Sequence, residues 1–167
     1  MSVNAVRTVS LIAATMSTGL MAGVFGLYAH TIMPGLRTTD DRTFIAAFQS
    51  IDTAIINPWF VGAMFLGAAV FTTVAAVANR STPAFAWILG ALVAYLVTVI
   101  ITAAVHVPLN DAIKAAGNPD RIIDLHRVRS NFHETRWAAW NLVRTITSTS
   151  AFGTLSWSLI LHGRSTR

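Results

Sequence analysis

Charged residues are scarce in this sequence, and long stretches of it contain none. Only 11% of the 167 residues are charged, whereas a soluble domain carries about 25%. Asp, Glu, Lys and Arg are missing from positions 8–36, 53–79, 81–110 and 145–163. A helix needs about 20 apolar residues to cross a hydrocarbon layer about 30 Å thick. These gaps exclude a soluble enzyme and a disordered chain, and they predict an integral membrane protein with four spans.

Cysteine is absent too, which excludes disulfides, thiolate metal ligands and cysteine nucleophiles. The net charge is +5, but the basic residues form no cluster, so nucleic acid is not an expected partner. The expected partners are the lipid bilayer and a hydrophobic small molecule. A GxxxG pattern from Gly19 to Gly23 fits either helix packing within one chain or a homo-oligomer.

The apolar stretches predict an all-α fold, a transmembrane four-helix bundle with two short amphipathic helices on one membrane face. The whole chain, residues 1–167, is interpreted as a single membrane domain. Because proline interrupts helical hydrogen bonding, the first span is expected to stop before Pro34 and the third to be closed by Pro108. The four spans are expected at about 6–28, 58–79, 84–107 and 137–162.

Two connections between the expected spans carry apolar residues at helical spacing. Phe44, Phe48 and Ile55 do so in the first connection, and Leu125 and Val128 do so in the second. Polar residues separate them in both cases. This spacing is typical of amphipathic helices that lie at a membrane surface.

The polar residues divide unevenly between the two expected membrane faces. The face with both long connections holds all seven acids and four of the five histidines. The opposite face holds Arg7, Arg80 and Arg164 and no acid. Since basic residues favour the cytoplasmic side, the N- and C-termini are expected inside, in a bacterial cytoplasmic membrane.

Arg144 is the one charged residue expected deep within a span, about 10 Å beyond Trp137 along the fourth helix. An ionisable group at that depth costs at least about 2.5 kcal/mol and usually faces the bundle interior. Trp137, Trp140 and Asn141 precede it at helical spacing, so the four residues form one stripe. The alternative is a snorkelling arginine above an interfacial tryptophan belt.

A second polar group lies at the end of the third span. A neutral His106 imidazole there is a candidate general base near pH 7, and Asp111 is a candidate to orient it or to act as the base. The alternative is a helix closed by proline, with Asn110 and Asp111 capping the next turn. Asn57 and Trp59, on the same expected face, fit either a ligand site or a helix start.

The clustered histidines raise the question of a metal site. His126 and His133 are seven residues apart and therefore share a helix face, with Glu134 beside the second. Together with His30 and His106 they are candidate ligands for a metal ion or a haem. The alternative is a set of solvated interfacial histidines, and the sequence favours no metal site.

Three separated motifs connect the chain with a known family. They are FIAAFQ at 44–49 continuing to IINPWF at 55–60, VPLND at 107–111, and WxxWNxxRT at 137–145. With MAG at 21–23 and MPGL at 33–36, this sequence resembles the anthrone oxygenase-like family of small four-helix membrane proteins. In the family, Asn commonly stands where this chain has His106.

The resemblance implies oxidation of a flat, hydrophobic phenolic or polyketide-type substrate with molecular oxygen, without a required cofactor. The residues then expected to carry catalysis are His106, Asp111, Asn141 and Arg144, with Arg144 and Asn141 stabilising an enolate oxygen. The residues expected to bind substrate are Asn57, Trp59, Asn110, Trp137 and Trp140. The alternative is a non-catalytic membrane protein that binds a lipid, a quinone or a partner subunit, or a His-ligated metal or haem protein.

Overall fold

The structure is a computed structural model that describes residues 3–165. Residues 1–2 and 166–167, which the single-domain prediction includes, lie outside this range. Within it every regular element is helical and no strand occurs. The helices are α1 (Val3–Arg37), α2 (Asp41–Ile55), α3 (Pro58–Ala78), α4 (Phe85–Ala115), α5 (Leu125–Asn131) and α6 (Glu134–Ser165). The all-α prediction is thus confirmed for the described residues.

Four of these helices pack side by side in a ring, in the order α1, α3, α4, α6. At one end of the ring, Arg7 Nε donates to the carbonyl of Ala78 at 2.8 Å and Thr8 Oγ1 lies 2.9 Å from His162 Nε2. The start of α1 therefore meets the ends of α3 and α6, so α1 is antiparallel to both. Leu11, Met21, Tyr95 and Leu155 are among the fully buried side chains of the core between the helices.

Three of the helices, α1, α3 and α4, are long and apolar enough to cross a membrane. This finding agrees with the prediction of an integral membrane protein. Helix α6 is 32 residues long, but its many Ser and Thr residues give it a lower hydropathy than the other three.

Helices α1 and α4 run further than the sequence predicts, because neither ends at its proline. In α1 a π-helical segment, Tyr28–Ile32, comes just before Pro34, and in α4 the segment Thr102–His106 comes just before Pro108. Proline lacks the N–H for the normal helical bond, and its ring crowds the carbonyl one turn earlier. A widened turn relieves that crowding, so both helices continue past the proline.

The glycine at the start of the GxxxG pattern allows a close contact inside the chain. A Cβ on Gly19 would lie 2.8 Å from the ring of Phe152, whereas one on Gly23 would meet nothing within 4 Å. Gly19 therefore lets α1 and α6 approach each other.

Helices α2 and α5 lie across the end of the ring opposite Arg7. Asp40 caps α2, accepting hydrogen bonds from the Thr43 N–H at 3.0 Å and from its hydroxyl at 2.6 Å. The Phe48 ring packs against Phe132, with centroids 4.6 Å apart. Phe44 and Phe48 are both buried, so this pair of helices closes the end of the bundle with a small apolar core of its own.

Arg129 ties these end elements together. Its guanidinium pairs with Glu134 at 2.7 Å and with Asp41 at 3.1 Å, and it donates to the carbonyl of Thr39 at 2.8 Å. Hydrogen bonds to Glu134 and Asp41 raise the pKa of Arg129 above its usual value. The start of α6 and the start of α2 are thereby held to α5.

Candidate functional site

A cavity of about 280 Å³ lies inside the end of the ring that α2 and α5 cover. Residues of all four ring helices and of α2 line it. Its aromatic wall is formed by Phe25, Phe48, Phe60, Phe65 and Trp137, and its polar groups come from Tyr28, Asp52, Thr102, His106, Asn110, Asp111, Lys114 and Arg144. The volume lies just below the range of about 300–1,000 Å³ that is typical of small-molecule sites.

The π-helical segments lie at the level of this cavity. Tyr28 belongs to the segment in α1, Phe60 to the segment Pro58–Leu66 in α3, and His106 to the segment in α4. A π segment widens the helix locally, and such segments are frequent at functional sites. Three of the four ring helices therefore widen where the cavity is.

Arg144 lies in the cavity wall and is only 5% exposed. Its Nη1 donates to Thr102 Oγ1 at 3.1 Å and its Nη2 donates to Asn141 Oδ1 at 2.8 Å. Its buried Nε has no hydrogen-bond partner, and no acid of the described chain forms an ion pair with the guanidinium. Both of its partners are neutral, so the positive charge in the cavity wall is uncompensated.

Aromatic rings provide the remaining surroundings of this cation. The Arg144 Cζ lies 4.4 Å from the Phe25 ring centroid and 5.6 Å from that of Trp137. Cation–π contacts of this kind contribute about 2 kcal/mol when desolvated. That gain offsets part of the burial cost and leaves the charge free to interact with an anion.

A second polar group lies where α2 crosses α4. Asp52 is buried, and its Oδ1 accepts a hydrogen bond from Asn110 Nδ2 at 2.6 Å. Its Oδ2 pairs with Lys114 Nζ at 2.8 Å, and Lys114 also pairs with Asp111 at 3.2 Å. Asn110 in turn accepts from Trp137 Nε1 at 2.9 Å. These contacts link α2, α4 and α6.

His106 is buried between α4 and α6 and lines the cavity. Its Nε2 lies 3.3 Å from the carbonyl of Trp137 and its Nδ1 lies 3.5 Å from that of Ile101. A neutral imidazole carries only one N–H, so one nitrogen donates to a carbonyl and the other is shielded by one. The structure thus brings His106 to the site with both nitrogens turned to the backbone.

The predicted site residues separate into two groups. His106, Asn110, Asp111, Trp137 and Arg144 line the cavity, with Asn141 directly behind Arg144. Three others lie outside it.

Asn57, Trp59 and Trp140 are the three that the cavity wall does not include. Asn57 caps α3, where its Oδ1 accepts from the N–H of Phe60 at 2.9 Å. Trp59 is 67% exposed and Trp140 is 40% exposed. Both indole rings therefore lie on the outer surface of the ring of helices.

The candidate metal ligands are spread over different places. His126, His133 and Glu134 border an open polar groove beside α5, whereas His30 is exposed and lies 2.6 Å from the Thr31 hydroxyl. Within residues 3–165 no three side chains of His, Cys, Asp or Glu come together in a way that could hold a metal ion.

Two charged groups of the site, Asp52 and Lys114, were missed by the sequence reasoning. A signal for Asp52 was present, because Phe44, Phe48 and Asp52 follow one another at intervals of four. Such spacing places all three on one helix face, and that face is the buried one. An acid that continues an apolar stripe thus indicates a buried polar site.

The family of the chain follows from a comparison with known families. The family model for anthrone oxygenase matches residues 57–154, more than half of the chain. The matched range contains the motifs at 107–111 and 137–145 and starts after α2. No significant match was found among curated proteins or among solved structures. The chain belongs to the anthrone oxygenase family.

Proposed function

We propose that this protein is an integral membrane oxygenase that oxidises a flat, hydrophobic phenolic or polyketide-type carbon acid with molecular oxygen in the cavity. The observation that carries this proposal is the buried Arg144 guanidinium, which has no acidic partner and one unpaired N–H. A site with that charge favours a ligand that develops negative charge on oxygen. The family membership supplies the class of reaction.

Four spans are part of the proposal, with α6 as the fourth. The Ser and Thr hydroxyls of α6 donate hydrogen bonds to backbone carbonyls of the same helix. Thr147 donates to the carbonyl of Val143 at 2.9 Å, and Ser148 donates to that of Arg144 at 2.6 Å. Ser156 and Ser158 bond in the same way. Backbone-bonded hydroxyls are tolerated in membrane helices. The basic, acid-free end with Arg7 and Arg80 is proposed to face the cytoplasm.

The proposed reaction converts one methylene group of the substrate to a ketone and consumes one molecule of O₂. A base removes a C–H proton from the substrate, and the electron pair remains as an enolate. The enolate carbon gives electrons to O₂ and, with a proton, forms a hydroperoxide. Loss of the second C–H proton and cleavage of the O–O bond yield the ketone and one water. The carbon loses four electrons and O₂ gains four, so no further reductant is needed.

The enolate is the species that the cavity is suited to stabilise. Its oxygen would lie at the Arg144 guanidinium, with Asn141 and Thr102 holding the arginine side chain in place. Donors that are fixed in a dry site stabilise a developing oxyanion strongly. The rings of Phe25, Phe48 and Trp137 provide apolar faces for a flat substrate.

The substrate is proposed to enter from the bilayer. Ile56 and Val107 belong to the cavity wall, yet they are 60% and 46% exposed. Exposed apolar residues at the rim of a cavity contact lipid in a membrane-embedded chain. A hydrophobic aromatic molecule dissolved in the bilayer would therefore reach the site without passing through water.

The proposal is tested with the purified protein in nanodiscs, anthrone as substrate and dissolved oxygen. Oxygen uptake and anthraquinone formation should both depend on the protein and fall at least about 100-fold in Arg144→Gln. Arg80→Gln, at the opposite end of the bundle, is the matched control and should retain full activity. Equal turnover in wild type and Arg144→Gln would overturn the proposed site.

A binding function without catalysis is the second candidate, because the same cavity with its lipid-facing rim also suits a quinone. The nanodisc assay distinguishes the two. Saturable binding of anthraquinone without oxygen uptake from anthrone would support a carrier or sensor. A visible absorption band or bound iron or copper in the purified protein would instead favour a His-ligated metal or haem protein.

A further inference from the structure

Asp52 is the one buried acid of this chain. All seven acids lie within the described residues, and the other six are half-buried or exposed. Asp52 is 7% exposed and lines the cavity. Burying an ionised carboxylate is unfavourable unless it is paired and hydrogen-bonded, so its presence in the cavity wall needs an explanation.

The contacts of Asp52 hold its carboxylate in a fixed position. Asn110 donates to one carboxylate oxygen at 2.6 Å, and Lys114 pairs with the other at 2.8 Å. Asn110 is itself fixed by the indole N–H of Trp137 at 2.9 Å. Both carboxylate oxygens of Asp52 are therefore held by side chains of α4.

Lys114 also connects Asp52 with the aqueous surface. Its ammonium lies 3.2 Å from the carboxylate of Asp111, whose side chain is 63% exposed. A buried carboxylate, an ammonium and an exposed carboxylate thus follow one another from the cavity to water. This arrangement provides a path by which a proton can leave the cavity.

The two bases expected from the sequence are less well placed for proton removal. Both nitrogens of His106 face backbone carbonyls. Asp111 is largely exposed, so water solvates its carboxylate and lowers its reactivity. Asp52 alone combines a buried carboxylate with a place in the cavity wall.

From this geometry, and on the basis of the proposed function, we infer that Asp52 is the catalytic base. The substrate C–H bond breaks, its proton goes to an Asp52 carboxylate oxygen, and its electron pair remains on the enolate that faces Arg144. Lys114 gives one of its protons to Asp111 and, as the neutral amine, then takes the proton from Asp52. Asp111 releases its proton to water, and the three side chains return to their starting charges.

The test separates proton removal from oxidation. Wild-type protein in nanodiscs is mixed with anthrone in deuterated buffer without oxygen, and deuterium uptake at the methylene carbon is followed by NMR. Asp52→Asn should slow the enzyme-dependent exchange by at least about 100-fold, the usual contribution of a general base. In this variant the remaining exchange rate should rise in proportion to the hydroxide concentration. The wild-type exchange rate should instead become independent of the hydroxide concentration. Asp120→Asn, a surface acid on the same side of the molecule, should behave as wild type.

Each outcome has a defined meaning. If wild type oxidises anthrone but Asp52→Asn exchanges at the wild-type rate, the inference about Asp52 is wrong and the proposed function stands. If wild type neither exchanges nor oxidises anthrone, the proposed function itself fails. Anthraquinone binding is measured in the same variants. Loss of binding in both Asp52→Asn and Asp52→Glu would make Asp52 a purely structural residue and would also overturn the inference.

Discussion

Asn141 holds Arg144 in place with a neutral side chain. Its Oδ1 accepts from Arg144 Nη2 at 2.8 Å, and its Nδ2 donates to the carbonyl of Phe25 on α1 at 3.0 Å. A carboxylate at this position would neutralise the guanidinium and could not donate to that carbonyl. The Asn141 amide therefore fixes the guanidinium without neutralising it. A site that binds an anion requires such an unneutralised cation.

Arg129 and Arg144 are expected to differ in their effects on stability. Arg129→Met leaves Asp41 without its cation and Glu134 with only the longer contact to Arg37 at 3.8 Å. It should lower the free energy of unfolding by about 3 kcal/mol. Arg144→Met removes a buried charge that has no acidic partner, so its loss of stability should be smaller. Thermal unfolding in detergent, followed by circular dichroism, measures both. A lower melting temperature for Arg144→Met than for Arg129→Met would contradict this expectation.

A counter-ion placed beside Arg144 should close the site to anions. The hydroxyl of Thr102 lies 3.1 Å from Nη1, so Thr102→Asp brings a carboxylate to the guanidinium. The affinity for the phenolate of 2-hydroxyanthraquinone should fall at least about tenfold, equal to about 1.4 kcal/mol. Absorbance titration at alkaline pH measures it. Thr102→Asn is the neutral control, and equal affinities of the two variants would refute the prediction.

The two tryptophans of the α6 stripe should respond differently to the same substitution. Trp137→Phe removes the donor to Asn110 and should cost about 1 kcal/mol of stability, together with much of the anthrone oxidation. Trp140→Phe changes a ring on the outer surface and should alter stability by no more than about 0.5 kcal/mol. Melting temperatures and oxygen uptake give both comparisons. Loss of activity in Trp140→Phe would place that ring at the site after all.

Asp40 should make the stability of the chain pH-dependent in acid. Hydrogen bonds from the Thr43 hydroxyl and N–H hold the pKa of Asp40 below its usual value of 3.8. Its contribution is therefore complete above that value and is lost as the pH falls through the lower pKa of the folded state. Asn caps a helix without titrating, so the melting temperature of wild type relative to Asp40→Asn should decline below pH 4. A relative increase on acidification would contradict the assignment.

The sequence was sufficient to predict the helical class and the polar pair of Asn141 and Arg144. Arg144 was identified because a charge within an apolar stretch is unusual, and Asn141 because helical spacing places it on the same side. The same spacing could not separate Trp137 from Trp140. Their directions differ by only about 60° around the helix axis, and the packing of α6 against α1 and α4 determines which one faces the cavity.

Asp52 shows what the sequence could not provide. Gln49 and Ser50 nearby made that part of α2 resemble a solvated face. Whether an acid there is buried depends on Asn110 and Lys114, which come from a distant part of the chain. The helix ends were mispredicted for a similar reason: Pro34 and Pro108 are local stop signals, and tertiary packing overrides them through widened turns.

The widened turn in α4 also has a consequence for how the length of the chain can vary. A π segment such as Thr102–His106 contains one residue more than the α-helix needs to connect the same two faces. Deleting Ala103 should therefore keep the direction of Asn110 and Lys114, but it brings the Pro108 ring back against the carbonyl one turn earlier and should lower the stability. Deleting a residue from the regular part of α4, such as Val97, would rotate everything beyond it by about 100°. A one-residue deletion at this turn is therefore expected to cost stability, whereas one in the regular part of α4 would also turn Asn110 and Lys114 away from the cavity.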